Sequence, residues 1–85
     1  MSVEAKLMYL LIQRSSFKLH FADQEEISFR ALNKNTYSVK SVSGDKVNYE
    51  RTLTNPKLRH EYGSNYLDFE ETVINCSYIK EIETF

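Results

Sequence analysis

The spacing of apolar side chains changes period once along this chain. Val3, Leu7, Leu10 and Leu11 recur at helical spacing, as do Met8, Leu11 and Ile12. One wide apolar face of this kind predicts a helix over residues 3–13. Ser2 can cap it, and Glu4 is well placed against the positive end of its dipole. Ser15 and Ser16 end the pattern. A helix this short is not stable alone in water, so it must pack on a sheet or on a partner.

From Phe17 the period becomes two. Phe17, Leu19 and Phe21 alternate with Lys18 and His20, the mark of a half-buried strand. After a turn at residues 22–25, Ile27, Phe29 and Ala31 repeat the pattern. Asn33-Lys34-Asn35 reads as a turn, because Asn tolerates left-handed backbone angles. Tyr37 and Val39 open a third strand, and Val47, Tyr49, Arg51 and Leu53 form one face of a fourth. Between them Ser43-Gly44-Asp45-Lys46 is a hairpin signal. Thr54-Asn55-Pro56 resembles a helix start, and Gly63 suits a helix stop, so one or two helical turns are expected there. Leu67, Phe69, Glu71 and Val73 then alternate with Tyr66, Asp68, Glu70 and Thr72, which predicts one continuous strand ending near Ile74. Asn75-Cys76-Ser77 breaks that beat, and Tyr78, Ile79, Ile82 and Phe85 close the chain.

The expected fold is α+β. An N-terminal helix precedes a mostly antiparallel sheet of about five or six strands over residues 17–85, with one short helix inserted. A length of 85 residues makes one small domain, 1–85. Six Tyr and five Phe must supply much of the core, since Trp is absent. Two Gly and one Pro are too few for a loop-dominated chain.

Composition also bounds the chemistry. Cys76 is the only cysteine, so no disulfide can form within the chain, which fits a reducing compartment. The N-terminal stretch lacks the features of a signal peptide, and nothing approaches the roughly 20 apolar residues of a membrane span. A soluble cytoplasmic protein with no membrane partner is the expectation. His20, His60 and Cys76 stand apart, without the paired spacing of metal ligands. Glu25/Glu26 and Glu70/Glu71 are sequence neighbours, which point to opposite faces of a strand and cannot form an acid–base dyad there. Gly44 and Gly63 are isolated, so no phosphate loop exists. No enzyme, metal or cofactor is expected.

The net charge of −1 is unevenly spread. Residues 30–60 carry seven basic against two acidic side chains, and residues 61–85 carry one against six. A basic middle can meet phosphates. Its cations gather at turns, and Lys34, Asn35, Lys46, Lys57 and Arg59 are the candidate nucleic-acid contacts. The plain alternative is two solvated faces that partly neutralise each other.

The segments EEISFRALNKNTYSVKS, SGDKVNYERTL, TNPKLRHEYGS and NYLDFEETVINCSYIKEI give residues 25–83 a divergent, C-terminally shortened resemblance to LytTR-type bacterial DNA-binding domains. That resemblance implies a transcription regulator that places loops in successive DNA grooves. It would put Asn33-Lys34-Asn35-Thr36 and Glu70-Glu71 at the contacts. The family usually offers His-Arg or His-Asn at the second place, whereas this chain has two carboxylates. The alternative is a protein-binding regulator or inhibitor, of the kind carried by phages and mobile elements. It would use Asp68, Glu70 and Glu71, or the N-terminal helix, against a partner protein and would lack DNA affinity. An exposed strand edge or helix face also offers a route to a homodimer.

Overall fold

A computed structural model describes residues 2–54, 56–69 and 72–85. Over these residues the fold is α+β, with one α-helix, eight strands in two antiparallel sheets, and a single 3-10 turn. The helix α1 spans Val3–Ile12. Ser2 caps it, its hydroxyl accepting from the Ala5 amide at 3.1 Å. At the other end the Ser15 amide donates to Leu10 and the Arg14 amide to Leu11. These two bonds make a Schellman closure, with Arg14 at φ +56° where glycine is commoner. The Arg14 guanidinium lies over the Tyr37 ring at 4.8 Å, which compensates part of its burial.

The larger sheet holds β1 (Phe17–Phe21), β2 (Glu25–Ala31), β3 (Thr36–Ser43), β4 (Lys46–Thr54) and β8 (Ile79–Thr84). Its order is β4-β3-β2-β1-β8. The smaller sheet is a meander of β5 (Lys57–Glu61), β6 (Ser64–Phe69) and β7 (Thr72–Asn75). A 3-10 turn at Cys76–Tyr78 leads from β7 into β8. The turns follow the chemistry of their residues. Gly44 takes φ +62° between Ser43 and Lys46, and Asn33 accepts the Asn35 amide on its own side chain.

Three expectations are corrected. Residues 57–69 form a β-hairpin rather than a short helix. Leu58, His60 and Tyr62 repeat every two residues, and Glu61 pairs with Ser64 across a turn in which Tyr62 and Gly63 sit at φ +52° and +78°. Two successive left-handed residues are the requirement of a type I′ hairpin turn. Gly63 therefore reverses a strand instead of ending a helix. The continuous strand expected through Glu70 and Glu71 is also two strands, with Phe69 opposite Thr72. Thr72 and Ile74 are partly covered while Val73 is 48 % exposed, so the phase has slipped between β6 and β7. A bulge between Ser41 and Val42 likewise puts Val47 opposite Val42, off the face shared by Tyr49, Arg51 and Leu53.

The core lies between the sheets and under α1. Phe17, Phe29, Tyr37 and Phe69 are at its centre, with Leu7 and Leu10 from the helix and Ile79 and Ile82 from β8. Phe29 stacks on Phe17 at 4.9 Å and meets Tyr37 and Phe69 edge-on at 6.1 and 5.3 Å. The small sheet contributes Leu67 and Phe69 to this core, and the Phe29–Phe69 contact ties the two sheets together.

Replacing Phe29 with Ala should cost about 3–5 kcal/mol, a large part of what so small a domain holds. Urea unfolding followed by far-UV circular dichroism should show the variant largely unfolded in buffer. A midpoint near that of the parent would contradict the central place of this ring. The Tyr62→Asn exchange should act in the opposite direction. The Tyr62 side chain is 98 % exposed and its backbone is left-handed, which Asn accommodates more readily. A gain of roughly 1 kcal/mol is expected from the same urea measurement.

Candidate functional site

The large sheet has a closed end and an open end. At the closed end Tyr37 faces Leu53, Phe17 faces Phe29, and Phe69 lies over them. At the open end, around the β1–β2 turn, a groove of about 780 Å³ separates the two sheets. Phe21, Glu25, Ile27 and Tyr49 line it from the large sheet, and Tyr66 from the small one. All four β7 residues also line it, as does Tyr78 of the 3-10 turn. Successive strand residues point to opposite faces. A groove that meets four in succession therefore runs along the outer edge of β7, which has no neighbouring strand among the described residues.

Polar groups enter this groove in a directed chain. The Asn48 amide donates to the Ser41 hydroxyl at 3.1 Å and to the Ser43 hydroxyl at 2.8 Å. Ser41 is completely buried and donates to the Glu25 carboxylate at 2.5 Å. Glu25 is half-buried at the start of β2. Tyr49 lies beside it. Burial pushes the Tyr49 phenol above its ordinary value, and the Glu25 carboxylate adds to the shift, while Arg51 and the Ser41 hydroxyl act against it. One face of the Tyr49 ring carries the Arg51 guanidinium at 4.5 Å. Arg51 also reaches the Thr72 hydroxyl at 3.4 Å, a contact that joins β4 to β7.

The candidate nucleic-acid contacts are divided by the fold. Lys34 and Asn35 are exposed in the β2–β3 turn. Lys57 lies near that end too, three residues beyond Thr54, which pairs with Thr36. Lys46 starts β4 at the opposite end of the eight-residue strand β3, about 26 Å away at ~3.3 Å per residue. Arg59 is engaged by Asp68 at 3.4 Å and Glu61 at 3.6 Å. Asp68, a candidate protein contact, is therefore the ion-pair partner of a candidate DNA contact. Glu70 and Glu71 lie outside the described residues.

The two histidines and the cysteine are accounted for locally. His20 Nε2 is 2.8 Å from Glu83 and its Nδ1 is 3.2 Å from Glu26, so it bridges β8 and β2 across the outer face. His60 meets the Asn65 side chain at 2.9 Å. Cys76 is 1 % exposed. Burial and, secondarily, Glu4 push its thiol up, against a hydrogen bond from the Leu67 backbone. That is the reverse of an activated nucleophile. Among the described residues no group of three or more His, Cys, Asp or Glu is placed to hold a metal ion. Among them also, no helix is long and apolar enough to cross a membrane.

The fold and groove define a small two-sheet α+β protein with a single covering helix. No family model, curated protein or solved structure matches the chain. Sequence reasoning missed the groove because its lining comes from β1, β2, β4, β6, β7, β8 and the turns between them. One local signal was present. Tyr49 and Tyr78 are large aromatic residues beside polar breaks in the pattern.

The buried acids give a pH dependence. Burial raises the Tyr37 phenol as well, with Arg14 opposing, and its hydroxyl donates to the Ser15 carbonyl at 3.1 Å. Cys76, Tyr37 and Tyr49 are each neutral when protonated. The unfolded chain therefore releases their protons first, near pH 9 for the thiol and pH 10 for the phenols. The folded chain releases them only at higher pH. Their stabilising effect is complete below about pH 9 and is lost as the pH rises through the folded values. Urea midpoints at pH 7, 9 and 10.5 should fall in that order, and Tyr49→Phe should flatten the decline. A midpoint unchanged at pH 10.5 would contradict this account.

Proposed function

We propose that the chain is a non-enzymatic protein-binding regulator that receives an extended segment of a partner protein in the groove between its sheets. The observation that carries this reading is the unpaired edge of β7 lying along an apolar groove. Extended segments bind such edges by completing the ladder, while pockets beside the edge take alternate side chains. Val73 and Tyr78 are 48 % and 70 % exposed on the groove's margin, a setting in which aromatic anchors contribute to interfaces. The volume is ample for several side chains.

Binding through this groove moves the protein-contact surface away from the sites expected from sequence. Asp68 is committed to Arg59, and the helix turns Leu7 and Leu10 into the core while leaving Met8, Tyr9 and Ile12 exposed, outside the lining of the groove. A DNA-binding, LytTR-like regulator is the second reading. It is favoured by the approach of Lys34, Asn35 and Lys57 at one end of the molecule, with Arg30 exposed nearby on β2. The division of the basic residues and the neutralisation of Arg59 weigh against a continuous phosphate-binding face.

Two measurements separate the readings. In affinity capture from a bacterial lysate, proteins held by the parent chain should be lost from Tyr78→Glu and Val73→Glu and retained by Lys34→Glu. Both groove positions are exposed, so both variants should keep a far-UV spectrum like the parent's. Titration of duplex DNA at 50 and 200 mM salt should show no steeply salt-dependent binding. Salt-dependent binding abolished by Lys34→Glu, with no protein partner sensitive to the groove variants, would reverse the choice.

A further inference from the structure

Resting on that reading, we infer that the groove selects a partner segment by an arginine side chain, which places its guanidinium between the Glu25 carboxylate and the aromatic rings. Three features of the site converge on this chemistry.

The first is the directed hydrogen-bond chain. Asn48 donates to Ser41, and Ser41 donates to one carboxylate oxygen of Glu25. Ser41 has a single hydroxyl hydrogen, so the chain ends on an acceptor and fixes the carboxylate in place. The second is the lack of a counter-ion. Among the described residues no cationic nitrogen lies within 4 Å of Glu25, although its carboxylate is half-buried. A carboxylate partly removed from water favours a cation that restores its lost solvation. The third is the lining itself. Phe21, Tyr49, Tyr66 and Tyr78 share the groove with Glu25, and ring faces attract cations.

Arginine fits these features better than lysine. Its planar guanidinium can stack on a ring while donating to a carboxylate in the same plane. The site already shows this preference within the chain, since the Arg51 guanidinium lies on the Tyr49 ring. The charge balance points the same way. The charged residues of the lining are Asp23, Glu25 and Lys80, and Lys80 is exposed on the rim. Asp23 is exposed and already accepts the Glu25 backbone amide, which leaves Glu25 as the inward-facing charge. A segment paired along the four residues of β7 spans about 13 Å, at ~3.3 Å per residue. It needs only one basic position, with apolar or β-branched residues two places to either side to share its face.

The test uses the full chain and two synthetic peptides, acetyl-Val-Thr-Arg-Thr-Val-amide and the same peptide with norleucine for Arg. Amide chemical shifts are followed by nuclear magnetic resonance at peptide concentrations up to several millimolar. The Arg peptide should shift the signals of Glu25 and of residues 72–75, with an affinity about tenfold above that of the norleucine peptide. Glu25→Gln keeps an acceptor for Ser41, so it should fold normally. It should lower the affinity of the Arg peptide to the norleucine level and leave the norleucine peptide within twofold. If both peptides shift the groove signals with equal affinity, the groove remains a segment-binding site and the arginine inference fails. If neither peptide moves those signals, the inference and the groove reading fail together. An Arg preference that survives Glu25→Gln also overturns the assignment to Glu25.

Discussion

The contact between Phe29 and Phe69 is the constraint on which the arrangement of this molecule depends. It joins a five-stranded sheet to a three-stranded one, and the two are unequal in width. At a strand spacing of about 4.8 Å the first is roughly 19 Å across and the second roughly 10 Å. The small sheet cannot cover the inner face of the large one. Aromatic packing around Phe29, with Phe17 and Tyr37, fixes the cover at one end. The helix covers the side next to β8 through Leu7 and Leu10. The end near the β1–β2 turn is left open, and the groove is the geometric remainder. The same mismatch explains why a polar chain from Asn48 through Ser41 to Glu25 is tolerated at the border of the core, where solvent still reaches.

Charge separation along a sequence need not survive folding. The basic middle and acidic end of this chain are interleaved in space. Arg59 on β5 meets Asp68 on β6, because Arg59 is opposite Tyr66 and Lys57 is opposite Asp68 in the register of the hairpin. Lys40 faces Glu50 across β3 and β4, and His20 lies between acids from β2 and β8. Exposed pairs of this kind contribute little to stability, typically below about 1 kcal/mol. Their larger effect is on binding. They shorten the reach of any single-sign field and leave only local clusters, such as the turn around Lys34, for phosphate groups.

Much of the large sheet was legible in the sequence because local and tertiary signals agree there. Phe17, Leu19, Ile27, Phe29, Tyr37 and Val39 alternate strictly, and each is buried. The turn residues between them act locally through Gly44 and Asn33. The small sheet was misread where one residue type serves two structures. Pro56 suits both a helix start and a break between sheets, and Gly63 supplies positive φ to either a helix stop or a hairpin. Only the period of Leu58, His60 and Tyr62 distinguishes the two, and three residues are a short sample. The slip between β6 and β7 was hidden for a different reason. Alternation predicts a face, but not whether the chain reverses, and a hairpin that shifts phase by one residue keeps the count of apolar residues unchanged. The groove was least legible, since a remainder between two sheets has no contiguous sequence pattern.

The exposed strand edges differ in how they discourage pairing, and that difference bears on where a partner strand would add. On β8 the Lys6 ammonium donates to the Ile82 carbonyl at 3.0 Å, so α1 occupies part of that edge. On β4 the bulge at Asn48 interrupts the ladder, and the Asn48 amide turns inward to Ser41 and Ser43. On β5 the alternating Lys57, Arg59 and Glu61 place charge along a strand preceded by Pro56. Each is a recognised way of blunting an edge. The β7 run Thr72-Val73-Ile74-Asn75 has neither a charged residue nor a proline, and it borders apolar surface. Among the described edges β7 is therefore the one that lacks such a device, so the same rules that blunt the other three leave an added strand least opposed there.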